Sequence, residues 1–260
     1  MESITSAQNP KVKLLLELQQ KSAVRRKHGL FVVEGRREVE RCVQSGYQLD
    51  SVFLCPDILD TDVPHLDNRV RCFQLSPDVY NKVAYRGGTE GIIAEVRSRH
   101  FTLDDLQLSP SPLVVVMESV EKPGNVGAIL RSADAARADA VIVCDPQCDL
   151  LNPNIIRASV GAFFSVPTVA CTSEACIRWL KAKGIRILTA QLQDSHYYYD
   201  TDMRQPTAIV MGTEATGLTD QWRLAADAHI KIPMLGIGDS LNVSVSAAIL
   251  LFEAVRQRQH

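Results

Sequence analysis

No apolar run in this 260-residue chain approaches the roughly 20 residues that span a bilayer; runs such as the one around Leu113 to Met117 have the length of a strand. A transmembrane protein is therefore excluded. The opening MESITSAQNPK lacks the apolar core and small-residue cleavage site of a secretory signal, so a cytoplasmic address without membrane attachment is expected. Cysteine gives no disulfide framework: the seven are odd in number, contain no Cys-x-x-Cys pair, and are expected to be reduced and structural. The six histidines (His28, His65, His100, His196, His229 and His260) are scattered without ligand spacing, so no metal site is expected. Glycine (14) and proline (12) are too few for a collagen-like chain, and 46% hydrophobic with 22% charged residues excludes a largely disordered one. What remains is a globular chain long enough for one or two cored domains.

The net charge of −2 conceals an asymmetry. Residues 1 to 100 carry 15 basic against 13 acidic side chains, and residues 101 to 260 carry 13 against 17. Between Pro10 and Arg41 nine basic residues face four acids, with Arg25, Arg26, Lys27, Arg36 and Arg37 at the centre. Such a segment fits a polyanion-binding module, and it equally fits a solvated helix face.

Hydrophobic periodicity divides the chain. Residues 1–100 predict a small α/β domain: helices over Pro10 to Lys21 and Arg36 to Gln44, strands at Leu30 to Val33, Ser51 to Leu54 and Gly91 to Val96, and a turn at Gly87 and Gly88. Residues 101–112, with two prolines and no regular period, predict a linker. From 113 to 260, short apolar runs alternate with helical segments, the pattern of a mainly parallel α/β sheet. Six strands are predicted: Leu113 to Met117, Ala140 to Cys144, Ser165 to Ala170, Ile185 to Ala190, Thr207 to Met211 and Ala228 to Ile232. Asn152 and Ser173 are expected to cap helices, and a final helix from about Asn242 to Gln257 presents Val243, Ala247, Leu250, Leu251, Ala254 and Val255 on one side.

In a parallel sheet, the loops leaving the C-terminal strand ends converge on the ligand. Three stand out here. In EKPGNVGAILRSADAA, Gly124 and Gly127 permit close approach, Asn125 suits a helix start, and Arg131 follows Gly127 on one helical face. That loop can meet an anionic ligand; an Asn cap with a surface Arg paired to Asp134 or Asp139 describes it as well. In IVMGTEATGL, Gly212 and Gly217 expose main chain and Glu214 can accept hydrogen bonds, although a plain turn capped by Thr219 would explain Gly217. In IKIPMLGIGDSLNVSVS, Pro233 stiffens a strand exit and Ser240 and Asn242 lead into the last helix. Its Gly-x-Gly lies after the last strand, which counts against a dinucleotide-dependent dehydrogenase.

Together, Asn125-x-Gly127-x-x-x-Arg131, Gly212-x-Glu214-x-x-Gly217-Leu218 and Ile232-Pro233-Met234 with Ser240-Leu241-Asn242-Val243-Ser244 resemble the three motifs of the SpoU/TrmH family of RNA ribose 2′-O-methyltransferases. The resemblance runs from Leu113 to the end. ITSAQNPKVK and FVVEGRREVE are similar to the substrate-binding domain many members carry, itself shaped like certain small ribosomal RNA-binding proteins. Arg137-Ala138 departs from the pattern, since members often have glycine there.

The resemblance implies a C-terminal parallel-sheet α/β domain of the SPOUT class with a trefoil knot, which connection rules alone would not propose. It implies S-adenosylmethionine as methyl donor, contacted by Met211, Gly212, Ile232, Met234 and Leu241, with no metal. It implies a homodimer through the C-terminal domain, with the site completed across the interface. Arg131 would then be essential, as base or as phosphate-gripping cation; a guanidinium that stays protonated below about pH 12 argues for the second role at least as strongly. Asn125 would orient ribose or arginine, Glu214 would hold an arginine or a ligand amine, and Ser240 with Asn242 would complete the acceptor side. Arg25, Arg26, Lys27, Arg36 and Arg37 would contact RNA phosphates, and Tyr85 and Arg86 would stack on a base or serve as turn residues. The expected substrate is structured RNA, ribosomal RNA before tRNA. The alternative is a catalytically silent RNA-binding protein of the same fold.

Overall fold

The computed structural model describes residues 1–59, 67, 69–85 and 90–259. The elements begin with β1 (Glu2–Ile4), α1 (Pro10–Gln20), α2 (Ser22–His28), β2 (Leu30–Glu34), α3 (Arg36–Gln44), β3 (Leu49–Leu54), β4 (Arg71–Leu75), α4 (Pro77–Val83) and β5 (Ile92–Arg97). They continue with β6 (Leu113–Glu118), α5 (Pro123–Ala135), β7 (Ala140–Cys144), α6 (Pro153–Ala158), α7 (Ala162–Ser165), β8 (Thr168–Cys171) and α8 (Ser173–Ala182). The last are β9 (Arg186–Ala190), β10 (His196–Tyr197), β11 (Thr207–Met211), α9 (Asp220–Ala225), β12 (Ala228–Lys231) and α10 (Val243–Gln259). They form two compact units, Met1–Arg99 with Leu151–Ser165, and His100–Leu150 with Val166–His260.

The first unit is a five-stranded mixed sheet in the order β1-β4-β3-β5-β2. Asn9 caps α1 by accepting the Lys11 N–H at 2.9 Å, with Pro10 at the first helical position, where its missing N–H is not needed. The helix buries Val12, Leu15 and Leu18 in the core that contains Val32, Phe53, Leu75 and Tyr80. The sequence predicts one domain over 113–260, yet 151–165 packs within this unit. The reason is aromatic: Phe163 and Phe164 of α7 meet Phe31 and Tyr47 at centroid separations of 5.3 to 6.4 Å. Arg86, Gly87 and Gly88, and with them the predicted turn, lie outside the described residues.

The second unit is a seven-stranded sheet, β10-β12-β9-β11-β6-β7-β8, in which every pairing is parallel. All six predicted strands are present. Helices cover both faces, so the central strands read as unbroken apolar runs rather than alternating ones. On one side, Trp179 and Leu180 of α8 and Trp222 of α9 bury Val114, Val116, Ile142, Ile187 and Val210. On the other, α5 and α10 pack together and against β7 and β11. Burial of each such large side chain is worth about 1.5–3 kcal/mol. The Arg258 guanidinium fixes the end of α10 by donating to the carbonyls of Ser111, Pro112, Met203 and Gln205. Leu103, Leu106 and Leu108, within the stretch read as linker, pack on this unit's core.

Local signals differ from expectation at a few points. Thr172, not Ser173, caps α8, accepting the Ala175 N–H at 3.2 Å, because Ser173 Oγ is committed to Asp145 at 2.6 Å. Lys122, not Asn125, precedes α5, since Pro123 starts the helix two residues earlier. β8 begins at Thr168 because the residues before it close α7. Arg137 takes φ +52°, the left-handed conformation that glycine adopts at lower cost, which accounts for the family's glycine there.

The whole arrangement places the ends of β6 and β11 side by side, with Met117 opposite Met211. The loops that leave β6, β11 and β12 therefore share the C-terminal edge of the sheet.

Candidate active site

After β11 the chain turns on itself. Thr213 and Gly217 exchange two backbone hydrogen bonds of 3.1 Å, and Gly217 takes φ +69°. A side chain on Gly212 would put its Cβ 2.4 Å from the Gly217 carbonyl carbon, closer than atoms can approach. Glycine is thus dictated at 212 by the return of the loop onto the strand end, and at 217 by backbone conformation. Gly236, by contrast, has open space around it, so crowding does not explain the third loop's Gly-x-Gly.

The turn carries Glu214 to the start of α5. Its Oε1 accepts from Asn125 Nδ2 at 3.0 Å and from Asn242 Nδ2 at 2.9 Å, and its Oε2 pairs with the Lys122 ammonium. Asn242 Nδ2 also lies 3.2 Å from Asn125 Oδ1, so one residue from each loop enters a single cluster. Asn242 Oδ1 in turn accepts from the N–H and the hydroxyl of Ser244, which locks its orientation at the head of α10. The Lys122 hydrogen bond, then that of Asn125, holds the Glu214 carboxyl below its usual range, and Lys122 is raised in return. Glu214 is therefore an ionised hub at neutral pH. Its partner Lys122 escapes a reading based on motif positions; a lone cation just before Pro123 in the first loop was the available signal.

Beside the hub lies a cavity of about 360 Å³. All five expected donor contacts, Met211, Gly212, Ile232, Met234 and Leu241, line it, together with Glu214 and Ser240. Leu218, Ile230 and Leu250 add apolar wall. A smaller cleft of about 140 Å³, lined by Lys122, Asn125, Glu214 and Val243 among others, shares Gly212, Thr213 and Glu214 with the first. The larger chamber combines apolar wall with polar side chains and glycine main chain, and the smaller one carries the Lys122, Asn125 and Glu214 side chains. Such a pair suits a large ligand with an aromatic ring and an aliphatic chain beside a hydroxylated one.

Two expected members stand apart. Ser240 faces the larger cavity and its hydroxyl lies 3.3 Å from Asp239, outside the Asn125–Glu214–Asn242 cluster. Arg131 is exposed on α5, lines neither cavity, and has no hydrogen bond or ion pair with any described residue. Asp139, one of its candidate partners, instead accepts the N–H groups of Ser109 and Leu113 at 2.6 and 2.8 Å.

In the first unit the basic segment divides. Arg25 is 3% exposed and its Nη1 donates to the carbonyls of Leu18 and Gln19, joining α2 to α1; it presents no surface to a phosphate. Arg26, Lys27 and Arg37 are exposed, and Arg36 is partly so, paired with Glu40 at 2.7 Å. Tyr85 is exposed, with its N–H on the Glu34 carboxylate at 3.0 Å, and it lines a cavity of about 290 Å³ with Arg37, Glu90 and Arg157.

Comparison with known proteins gives this geometry its setting. Residues 9–94 match the MRM3-like substrate binding domain. The chain is 29% identical to the 23S rRNA (guanosine(2553)-2′-O)-methyltransferase RlmP of Bacillus subtilis, over 97% of this chain and 98% of that one. It is 36% identical to the 23S rRNA (guanosine-2′-O-)-methyltransferase RlmB of Vibrio parahaemolyticus, covering 86% and 91% of the two chains. Among solved structures, an AdoMet-bound rRNA methyltransferase from Sinorhizobium meliloti superposes with a TM-score of 0.88 at 27% identity, over 98% of this chain and 97% of that one. An RNA 2′-O ribose methyltransferase gives 0.85 at 37% identity, over 99% and 100%. The all-parallel sheet is consistent with a SPOUT knot domain, and with residues 112–252 matching its model, the chain belongs to the SpoU rRNA methylase family.

Proposed function

We propose that this protein transfers a methyl group from S-adenosylmethionine to a ribose 2′-OH of structured RNA, with 23S ribosomal RNA the first substrate to test. The observation that carries the reading is the junction at Glu214, where a cavity with Leu218, Ile230 and Leu250 as apolar wall and glycine main chain at its edge adjoins a cleft that holds Lys122, Asn125 and Glu214. The lining fits the donor: an adenine and a thioether chain need backbone hydrogen bonds and an apolar slot more than charge. When bound, S-adenosylmethionine supplies an already activated methyl group, so the protein's task is to place and polarise the acceptor hydroxyl. Glu214 holds the amides of Asn125 and Asn242 in fixed orientation, and Asn125, which lines the smaller cleft, is the positioning group for ribose. No histidine lies in the cluster, so proton removal falls to a group brought from outside it.

Arg131 is the group left free to do this. Its exposure and its distance from both cavities fit a homodimer through the second unit, in which Arg131 of a second copy reaches the acceptor and grips RNA phosphate. Val245 and Phe252 on α10 are 47% and 49% exposed, apolar surface of the kind such an interface covers. In the first unit, Arg26, Lys27, Arg36 and Arg37 provide phosphate contacts, and the matched substrate-binding domain supports RNA recognition there.

The test uses the purified protein, tritiated S-adenosylmethionine, and separated ribosomal and transfer RNA from cells lacking the enzyme. A labelled dinucleotide resistant to alkali from 23S RNA is the expected product, and Arg131→Ala should abolish it while donor binding survives. Label confined to tRNA would replace the substrate assignment. Donor binding with no labelled RNA of either class would overturn the proposed transfer to free RNA.

A further inference from the structure

Away from the active site, three cysteines far apart in sequence meet in the second unit. Cys144 ends β7 and Cys171 ends β8, and the parallel register pairs them directly, so their side chains leave the same face of the sheet. Cys176 comes from the first turn of α8, its N–H donating to Thr172. The three sulfur atoms all lie within 4.8 Å of one another. Cys144 and Cys176 are buried in the core with Val116, Ile142 and Trp179, while Cys171 is partly exposed and opens the group to solvent. The remaining cysteines form no such group among the described residues.

We propose that Cys144, Cys171 and Cys176 form a binding site for one soft d¹⁰ metal ion held by three sulfurs, with Cu(I) as the ion of matching chemistry. Metal–sulfur bonds of about 2.3 Å place three sulfurs about 3.8–4.0 Å apart, so the separations need to close by less than about an ångström. Thiolates select soft ions, and the absence of a fourth His, Asp, Glu or Cys donor in the group, among the described residues, favours a three-coordinate ion over tetrahedral Zn(II). The N-terminal end of α8, a ten-residue helix, faces the group with a favourable dipole for negative sulfur. Binding forms the copper–sulfur bonds and releases the displaced thiol protons to solvent; copper stays in the +1 state. The loop around the group is already braced, since Asp145 accepts the Ser173 hydroxyl at 2.6 Å and Ser173 accepts the Trp222 indole N–H at 2.9 Å.

The experiment titrates the reduced, full-length protein with Cu(I) under argon, with bicinchoninate as the coloured competitor. One equivalent should be withdrawn from the competitor. Cys171→Ser should weaken the apparent affinity by about tenfold or more, whereas Cys72→Ser and Cys148→Ser, outside the group, should leave it unchanged. Because Cys171 is partly exposed, its variant is the one expected to keep the fold, checked by circular dichroism. Mass mapping after iodoacetamide treatment gives a second readout: Cu(I) should protect Cys171 from alkylation. Failure to compete with bicinchoninate, an unaltered titration in Cys171→Ser, or binding of Zn(II) in preference to Cu(I) would each overturn the assignment.

Discussion

Two carboxylates near the ends of neighbouring parallel strands have opposite employments. Glu118 closes β6 and is 2% exposed; Glu214 lies just beyond β11, with its side chain 32% exposed. Thr219 alone supplies Glu118 with two firm bonds, its N–H at 2.8 Å and its hydroxyl at 2.6 Å. Ser173 Oγ lies 3.4 Å away, but its hydrogen goes to Asp145. Thr219 belongs to the scaffold, joining β6 to the start of α9. Glu214 instead gathers Lys122 and Asn125 from the first motif loop and Asn242 from the third. A carboxylate whose donor sits at a helix start holds packing, whereas one that joins its own motif loop to two others organises a site. Residue type and strand-end position do not distinguish the two; the source of the donors does.

Replacing each in turn should separate the roles. Glu214→Ala releases Asn125 and Asn242 from their shared anchor, and positioning lost in this way typically costs about 10²–10³-fold in turnover. The melting temperature should stay within about 2 °C, since an exposed carboxylate contributes little to stability. An equally active variant in the labelled-methyl assay would remove Glu214 from the site. Glu118→Ala should show the reverse pattern. It removes the acceptor that ties the Thr219 N–H and hydroxyl to the buried end of β6, a loss of about 1–2 kcal/mol in urea unfolding, with methyl transfer retained below the melting point. An unchanged unfolding midpoint would mean that Thr219 finds another partner.

The same contrast marks what could be read from the residues. Buried parallel strands announce themselves as apolar runs, so β6, β7, β9, β11 and β12 were legible within about one or two residues. β1, with one buried residue, and β10, with two exposed ones, carry no period to detect. The lining of the larger cavity is named in advance only through the family resemblance of the loops after the strands, and the steric reason for Gly212 emerges only from the return of the loop. Arg25 was misplaced because charge alone cannot tell a phosphate contact from a guanidinium that caps a helix end; only the packing of α2 on α1 decides it. Contiguity places segment 151–165 in the second unit, whereas Phe163 and Phe164 follow hydrophobic contacts that sequence order does not reveal. The cysteine group was invisible for a related reason, since strand register and not spacing brings Cys144 to Cys171.

The smallest expected effect is on pH dependence, and it bears on Lys122, the member of the cluster that motif reading did not supply. The Glu214 carboxyl is held below its ordinary value of 4.5 chiefly by the Lys122 hydrogen bond, with Asn125 next. A depressed carboxyl pKa means that whatever the ionised group contributes is fully present above the ordinary value. That contribution disappears only as pH falls through the lower, folded-state value. Donor binding by the parent protein should therefore persist to pH values below the ordinary carboxylate range, as far as the fold survives. Lys122→Met removes the strongest donor while Asn125 and Asn242 remain, so the acid limb should move upward toward 4.5 without returning fully to it. Carbon-13 NMR of the glutamate carboxyls, assigned with Glu214→Gln, reads the same quantity directly. Coincident titrations in the parent and Lys122→Met would show that the ammonium does not set the charge of the hub. In that case Glu214 would be held ionised by neutral donors, as Glu118 is held in place by Thr219, and the distinction between the two carboxylates would rest on exposure alone.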